Sequence, residues 1–341
     1  MNKWAILVGV NNYVHMNNLQ YSVNDISKLH IAFRDYLDFP EENIVEISDD
    51  TEKEPDRDII YHELGFLVRQ NLVKPDDLLV FYFTGHGMLD TEKQEDYLLP
   101  TRASPYTLEL TGCKVGDIVS MLKQLKCKNV VMFLDACREV VGGAKGGSSI
   151  GLNTESLVSR AGIATFFSCN PTSLSYEIEQ LEHGSFTYNV LQAIENPNCN
   201  TINEIDEFLR TNVPITNRKY QKPIQLPYTK IEPVETGMLS IFNRMVQIVT
   251  GGEGLEDIMS QLYGLYDEGQ LEAKLYSRCI DIVDGAKNQS IDENAKKKIL
   301  RIKEFCNRTL TSSKALEIAL DAHEVRNLRG PSAQQNLGKL A

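Results

Sequence analysis

The chain of 341 residues lacks the features that mark several common classes of protein. Its seven cysteines are odd in number and scattered, and none are spaced as Cys-x-x-Cys, which argues against a disulfide framework and a zinc site. No apolar run approaches the roughly 18 residues of a membrane-spanning helix, and the first residues lack the basic and apolar segments of a signal peptide. We therefore expect a cytoplasmic protein with no membrane partner.

Basic residues are also too few for a nucleic-acid partner. The 35 Lys and Arg residues are outnumbered by 47 Asp and Glu residues, and the formal net charge is -12. Binding to phosphates requires clustered positive charge, so we expect no nucleic acid among the partners. Hydrophobic residues make up 42% of the chain, which is enough for one large domain and one small one.

Strand-like and helix-like segments alternate along the first part of the chain. This order predicts βαβ units, and therefore an α/β fold with a mostly parallel sheet of six strands. We expect the first helix to have Asn24 or Asp25 as its N-cap, and residues 238–242 to close the sheet. The predicted strands are residues 3–10, 43–47, 78–84, 130–134, 162–168 and 238–242.

Only helix-like patterns follow residue 250. Apolar residues at helical spacing predict a small helical bundle at residues 253–328, and residues 329–341 are predicted to form a flexible tail. The preceding domain is predicted to span residues 1–245. The bundle carries no motif that indicates chemistry, so it is either a recruitment or regulatory module or a bundle that only packs on the larger domain.

Two polar motifs follow the two most apolar of the predicted strands. They are Thr84-Gly85-His86-Gly87 and Asp135-Ala136-Cys137-Arg138-Glu139. Ligands bind outside the carboxyl ends of parallel strands, so both motifs stand where chemistry is expected. A free cysteine is usually a packing residue, but Cys137 has polar and charged neighbours, and His86 alone among the six histidines lies between two glycines. We interpret Cys137 as a nucleophile and His86 as its base.

These motifs resemble those of the caspase and metacaspase superfamily of cysteine peptidases, in which the histidine precedes the nucleophile by about 50 residues. The resemblance implies a three-layer sandwich around the sheet. It also implies that His86 and Cys137 form the catalytic dyad, and that the backbone N–H groups of Gly87 and Cys137 form the oxyanion hole. It covers about residues 1–242 and includes residues 3–11, 22–25, 175–177 and 183–188.

The resemblance also implies a residue preference. Residues two apart on a strand share a face, so Asp135 is expected to accompany Cys137. Metacaspases carry an aspartate at this position and another in the Asn-Asp pair that Asn24-Asp25 matches, and both line the pocket for Arg or Lys. We therefore predict that Asp25 and Asp135 form the S1 pocket. The alternatives are a plain helix N-cap for Asp25 and a hydrogen-bonded strand-end residue for Asp135.

The segment after the nucleophile, about residues 139–161, is predicted to be a processing loop. Residues 141–149 include four glycines and almost no apolar content, and such loops are preferred sites of proteolytic nicking. By resemblance, Lys145 is the first candidate for autocleavage and Arg160 is the second. The alternative is a flexible loop that is never cut.

Calcium is the one cofactor that the resemblance suggests. Metacaspases often bind it through aspartates that follow the catalytic histidine, and Ca²⁺ takes about six to eight oxygen ligands. The corresponding loop offers few carboxylates, so we expect activity without calcium and no cofactor or metal. The sequence after the nucleophile, Arg138-Glu139, is similar to the caspase pattern, which leaves the subfamily open. The carboxylates in the loop are Asp90, Glu92, Glu95 and Asp96.

The resemblance therefore predicts a cysteine endopeptidase that cleaves protein substrates after Arg or Lys through a thioester acyl-enzyme. It is expected to process itself and to act in a regulated cell-death or defence pathway, with an upstream activator or regulator contacting the helical domain. One alternative is an Asp-specific caspase-like peptidase. Another is a non-catalytic scaffold of the same fold, against which the intact His86 and Cys137 argue.

Overall fold

The computed structural model describes residues 1–90, 92–140, 152–170, 174–196, 198–242 and 252–288, with residues 298, 299, 302, 306, 316, 317 and 320. Within these ranges, the description excludes the side chains of residues 137–140, 152, 252–254, 257 and 286–288. The chain divides into two compact units, Met1–Asn243 and Arg244–Ala341. The domain limits of 1–245 and 253–328 stay a prediction, and the predicted tail at residues 329–341 lies outside the described residues.

A mostly parallel sheet forms the centre of the first unit. Its main path has six strands in the order β10-β7-β6-β3-β1-β2, and only β10 runs antiparallel to its neighbour. Strands β4 and β5 branch from β3 and bring the sheet to eight strands, while β8 and β9 form a separate hairpin. The strands are β1 Lys3–Gly9, β2 Ile44–Ser48, β3 Leu78–Asp90, β4 Glu95–Leu98, β5 Cys113–Lys114, β6 Asn129–Val140, β7 Ala164–Phe167, β8 Glu177–Ile178, β9 His183–Gly184 and β10 Tyr228–Lys230.

Helices cover both faces of this sheet. Along β3, Phe81 and Phe83 are buried in one apolar cluster with residues of α2 and α4, whereas Val80 and Tyr82 are buried in another with residues of α1, α6 and α7. Alternate side chains of a strand point to opposite faces, so a strand covered on both sides is apolar throughout. The α/β sandwich predicted from the sequence is therefore confirmed. The helices are α1 Ser22–Asp35, α2 Arg57–Gln70, α3 Leu108–Thr111, α4 Val115–Gln124, α5 Leu152–Ala161, α6 Ser185–Glu195 and α7 Ile202–Lys219.

Strands β3 and β6 are longer than the sequence predicts. They pair in parallel from Leu78 opposite Asn129 to Leu89 opposite Val140. Beyond Thr84, β3 is supported on its other side by the antiparallel strand β4. Two neighbouring strands satisfy the backbone groups of β3 in this region, so the strand continues where the glycines predicted its end. The motifs of His86 and Cys137 therefore lie inside the two central strands and not after them.

The N-cap predicted for the first helix is wrong. Helix α1 begins at Ser22, and its N-cap is Tyr21, which makes no capping bond with its side chain. The carboxylate of Glu177 accepts the backbone N–H groups of Gln20 and Tyr21 instead, at 2.9 and 2.8 Å. A carboxylate from a distant segment thus accepts the backbone N–H groups just before α1. Asp25 lies within the first turn of the helix and is not its N-cap.

The prediction that residues 238–242 close the sheet is also wrong. The edge strand is β10, which pairs with β7, and Ser240 makes only an isolated bridge to Thr201. The N–H groups of Ile241 and Phe242 both donate to the carbonyl of Asn200. Their apolar side chains are buried in the cluster that also contains residues of α7. A short apolar run fits packing against a helix as well as it fits a strand, so the sequence pattern did not distinguish the two.

The second unit is helical in its described part. Two helices, Gly252–Asp267 and Ala273–Asn288, contribute to one apolar cluster. None of the helices in the described part of the chain combines the length and the apolar character that a membrane crossing requires. The buried members of the cluster are Leu255, Ile258, Leu262, Leu271, Leu275, Cys279, Val283, Ile299, Ile302, Leu316 and Leu320.

Candidate active site

His86 and Cys137 occupy paired positions on the two central strands. The parallel register of β3 and β6 places the Cα atom of His86 opposite that of Cys137. Neighbouring strands lie about 4.8 Å apart, so the backbone brings these two residues together although 50 residues separate them in the sequence. The side chain of Cys137 lies outside the described part of the chain. Its role as a nucleophile stays a prediction.

Two residues of the loop after β1 hold His86. Its Nε2 atom lies 2.8 Å from the backbone carbonyl oxygen of Asn17, and its backbone N–H donates to the hydroxyl oxygen of Tyr13 at 2.7 Å. A carbonyl oxygen can only accept, so this contact assigns the proton to Nε2 and leaves a lone pair on Nδ1. The imidazole therefore has the tautomer that a base acting through Nδ1 needs.

A glycine beside His86 leaves room for this arrangement. A Cβ atom on Gly85 would lie 2.6 Å from the hydroxyl oxygen of Tyr13 and 3.0 Å from the ring of Phe83. The rings of Tyr13 and His86 are in contact, with their centroids 4.6 Å apart. Gly87, the predicted oxyanion donor, is buried in β3 between Leu98 and Arg138 of the neighbouring strands. Its role stays a prediction.

A cavity of about 240 Å³ adjoins His86 and contains both predicted S1 residues. Asp25 reaches it from α1 and Asp135 from β6, and both carboxyl groups are almost fully buried, at 1% and 5% exposure. Ser175, Glu177 and Gly184 line the same cavity. The fold thus brings together the predicted base and the predicted acidic pocket.

Asp25 is bonded to the segment that leads into α6. Its Oδ1 atom lies 2.5 Å from Nδ1 of His183, and its Oδ2 atom accepts the backbone N–H of Gly184 at 3.1 Å. Burial and, to a lesser extent, the nearby charge of Asp135 raise the pKa of Asp25, the contacts with His183 and Gly184 oppose this rise, and the net result is a pKa of about 7. The carboxyl group is therefore one that ionises near neutral pH.

Neutral hydroxyl groups hold Asp135. Its Oδ1 accepts the hydroxyl of Ser175 at 2.7 Å, and its Oδ2 accepts the hydroxyl of Thr187 at 2.8 Å. Burial raises the pKa of Asp135, and these hydrogen bonds oppose the rise. Gln225 donates to Ser175 at 3.0 Å and to the carbonyl of Ser168 at 2.8 Å, which fixes the orientation of the network.

The two carboxylates converge beside Gly184. A Cβ atom at this position would lie 2.9 Å from Oδ2 of Asp25 and 3.1 Å from Oδ2 of Asp135. Only glycine lets the backbone approach both carboxylates so closely. Two buried acids that face one small space repel each other, and a cation between them would relieve the repulsion. The cavity is therefore suited to a positively charged side chain.

Sequence reasoning missed the residues that support the site. His183 and Glu177 belong to segments that carry the family resemblance, but no local pattern assigns them a role. Tyr13, Asn17 and Gln225 belong to no motif, and their contacts join residues that are between 50 and 73 positions apart. Only a map of long-range contacts could have found them.

The predicted processing loop is in part a helix. Lys145 lies outside the described residues, but residues 152–161 form α5, and Arg160 is exposed in its last turn. Val158 is fully buried in the apolar cluster that also contains residues of α2 and α4. This burial of one face explains why the segment is helical and not a loop. Cleavage at Arg160 would require the end of α5 to unwind, because a peptidase binds its substrate in an extended form.

Burial of Asp25 has a consequence for stability that can be measured. Its folded-state pKa of about 7 lies above its ordinary value of 3.8, so the folded protein binds this proton more tightly. The resulting contribution to the free energy of unfolding is complete below pH 3.8 and is lost as the pH rises through about 7. We expect Asp25→Asn to reduce this loss between about pH 4 and about pH 8 by on the order of 2–4 kcal/mol.

Urea unfolding at a series of pH values measures this effect. Asp50→Asn is the control, because Asp50 is exposed in a turn and should leave the pH dependence unchanged. An Asp25→Asn protein whose stability follows the same pH dependence as the unmodified protein would contradict the burial argument.

Comparisons with known proteins show the family to which the chain is similar. A family model described as the caspase domain, Peptidase_C14, matches residues 2–232. Metacaspase-1 of Meyerozyma guilliermondii is 29% identical over 144 residues, which cover 40% of this chain and 34% of that protein. Metacaspase-1 of Scheffersomyces stipitis is 31% identical over 120 residues, which cover 34% of this chain and 29% of that protein.

The matched part of this chain spans only about a third of the length of these curated relatives. The crystal structure of caspase-1 from Spodoptera frugiperda aligns with a TM-score of 0.43 and 12% identity, over 67% of this chain and 85% of that chain.

The protein is an α/β sandwich in which a histidine and a cysteine are paired on the central parallel strands beside a cavity with buried carboxylates. The caspase-domain match covers more than half of the chain and includes both strands. The chain therefore belongs to the caspase family of cysteine peptidases.

Proposed function

We propose that this protein is a cysteine endopeptidase that cleaves polypeptides after Arg or Lys. The observation that carries the proposal is the convergence of two buried carboxylates, Asp25 and Asp135, in the cavity that also contains His86. The pairing of His86 with Cys137 across β3 and β6 supports the same reading. The substrates would be proteins with a basic residue at the cleaved position.

In the proposed mechanism, Nδ1 of His86 takes the thiol proton of Cys137, and the thiolate attacks the carbonyl carbon of the scissile bond. The backbone N–H groups of Gly87 and Cys137 stabilise the oxyanion. His86 then gives its proton to the leaving amine as the C–N bond breaks and a thioester forms. Water, deprotonated by His86, attacks the thioester, and the acid product leaves as the thiol is restored.

The charge of the cavity supports a basic rather than an acidic residue at the cleaved position. A guanidinium or ammonium group would bring positive charge to two carboxylates whose present partners include the neutral hydroxyls of Ser175 and Thr187. An aspartate side chain would add a further negative charge beside Asp25 and Asp135 in a buried space, which is strongly unfavourable. An Asp-specific peptidase is therefore the less favoured alternative.

The carboxylates that follow His86 support the proposal that activity does not require calcium. Asp90 accepts the N–H groups of Glu92 and Lys93, and Glu95 forms an ion pair with Lys114. Asp96 accepts the hydroxyl of Thr154. These internal partners already occupy some of the oxygen atoms of the loop, so a six-ligand site that used those atoms would require the loop to rearrange.

Fluorogenic peptides ending in Arg, Lys or Asp test the function. We expect cleavage of the Arg and Lys peptides, no cleavage of the Asp peptide, and equal rates with calcium and with a chelator. Preference for the Asp peptide would contradict the acidic-pocket argument. Loss of activity in the chelator would contradict only the calcium proposal.

We further propose that the enzyme processes itself, with Lys145 as the first site and Arg160 as the second. A map of fragments by mass spectrometry tests this, because fragments from self-processing should appear in the active protein and not in Cys137→Ala.

We also propose that the enzyme acts in the cytoplasm, in a regulated cell-death or defence pathway. An activator would contact the helical unit, and self-processing would be useful in such a setting.

A further inference from the structure

His183 contacts Asp25 from outside the lining of the acidic pocket. Its side chain is 12% exposed, and its Nδ1 atom lies 2.5 Å from Oδ1 of Asp25. It does not line the cavity itself, although the next residue, Gly184, does. The partners of Asp135, in contrast, include the hydroxyl groups of Ser175 and Thr187, which do not titrate in the neutral range. In the described part of the chain, Asp25 has a hydrogen bond to a histidine, and the side chains that donate to Asp135 are hydroxyl groups.

This contact matters because the pocket contains two acids at close range. Oδ2 of Asp25 and Oδ2 of Asp135 both lie about 3 Å from the position of a Cβ atom on Gly184. A buried carboxyl group beside a second negative charge prefers to keep its proton. Among the influences that favour ionisation of Asp25, the hydrogen bond from His183 is the largest. Without this bond, Asp25 would hold its proton to a higher pH.

We propose that His183 is a positioning residue that sets the preference of the pocket for a basic side chain. It holds the Oδ1 atom of Asp25 and favours the ionised carboxylate, so that Oδ2 faces the cavity together with Asp135. The inference rests on the proposed cleavage after Arg or Lys and adds the residue that gives the pocket its charge near neutral pH.

The other charged groups described near His183 are more exposed to solvent than Asp25 is. Its neighbour Glu182 and Glu179 of the preceding turn are exposed, and Glu177 lies on the paired strand β8 with its carboxylate bonded to the start of α1. On α6, the ring of Tyr188 lies 6.2 Å from the imidazole. Solvent screens the exposed carboxylates, so the buried Asp25 is the dominant partner.

The pH dependence of substrate preference measures this role. The substrates are an Arg peptide and the same peptide with citrulline, which has the same shape without the charge. We expect the ratio of kcat/KM for Arg over citrulline to increase with pH as Asp25 ionises. In His183→Leu the midpoint of this increase should move up by about one pH unit, which lowers the ratio about tenfold below the midpoint. The loss should be in KM for the Arg peptide, with citrulline cleavage unchanged.

Two further variants separate this role from a general structural effect. His183→Asn retains a donor near the position of Nδ1, so it should restore most of the midpoint that His183→Leu shifts. His30→Leu is the matched control, because His30 also donates to a carboxylate, that of Glu46 at 2.7 Å, but outside the pocket. An unchanged midpoint in His183→Leu, or an equal loss for both peptides in a folded His183→Leu protein, would overturn the proposal.

A binding measurement separates this inference from the proposed peptidase activity. Agmatine carries the guanidinium group of arginine, and calorimetry in two buffers of different ionisation enthalpy counts the protons released when it binds. We expect His183→Leu to release more protons near neutral pH than the unmodified protein, because Asp25 would start protonated more often. Equal proton release would overturn the role of His183. If the Arg and Lys peptides are not cleaved but this difference is present, the proposed activity fails and the inference stands.

Discussion

Cys137→Ala is expected to reduce cleavage of an Arg peptide to the uncatalysed background, and His86→Ala is expected to lower kcat by at least about 10³-fold. The first variant removes the atom that forms the thioester. The second removes the base whose tautomer is fixed by the carbonyl of Asn17. Because the two residues act in one step, the double variant should be no slower than the Cys137→Ala variant.

The measurement is the steady-state rate together with the formation of the acyl-enzyme in a rapid-mixing experiment. Cys127→Ala is the matched control: Cys127 donates to the carbonyl of Asp77 at 3.1 Å at the far end of the sheet, and its loss should leave kcat unchanged. Residual acyl-enzyme formation in Cys137→Ala would show that the nucleophile is another residue. A Cys127→Ala protein that is equally inactive would show that loss of activity alone does not identify the nucleophile.

The central strands and their polar motifs could be predicted from the sequence because they depend on local patterns. A strand buried on both faces is continuously apolar, and the runs before His86 and Cys137 have this character. The register between these strands could not be predicted. The spacing of the two residues says nothing about which position of β6 lies opposite His86, since that depends on the packing of both strands between two helical layers.

The ends of the elements were predicted less well, because they depend on distant partners. Helix α1 begins earlier than predicted since Glu177 accepts the N–H groups of Gln20 and Tyr21, which are about 156 positions away. Strand β3 continues through its glycines because β4 folds back beside it. In both cases, a contact from elsewhere in the chain satisfies backbone groups that a local signal would leave unpaired.

The walls of the acidic pocket come from five separate parts of the chain, one of which is the segment of β3 that includes His86. Asp25 lies on α1, Asp135 on β6, Ser175 on the segment before β8, and Gly184 at the end of β9. Glu177 ties the segment before β8 to α1 through its bonds to the start of that helix. A shift of that segment would therefore move a pocket wall and the helix that carries Asp25 together. The pocket depends on long-range contacts that no single motif records.

Asp135→Asn is expected to lower kcat/KM for the Arg peptide by about 10²-fold, with a much smaller effect on the citrulline peptide. The substitution preserves the shape of the side chain but removes one of the two charges that would face a guanidinium group in a buried cavity. The hydroxyls of Ser175 and Thr187 can rotate to pair with an amide, so the change should not leave a buried polar group unpaired. The loss should appear mainly in KM, since the charge binds the substrate and takes no part in proton transfer.

The control for this variant is Asp96→Asn. Asp96 is also a buried carboxylate that accepts a threonine hydroxyl, from Thr154, but it lies outside the cavity that contains His86. Its substitution should change stability without changing the preference for Arg over citrulline. Asp135→Asn with an unchanged preference would remove Asp135 from the pocket. An equal loss for both peptides would assign it instead to the support of the catalytic strands, because β6 carries Asp135 and Cys137 two residues apart.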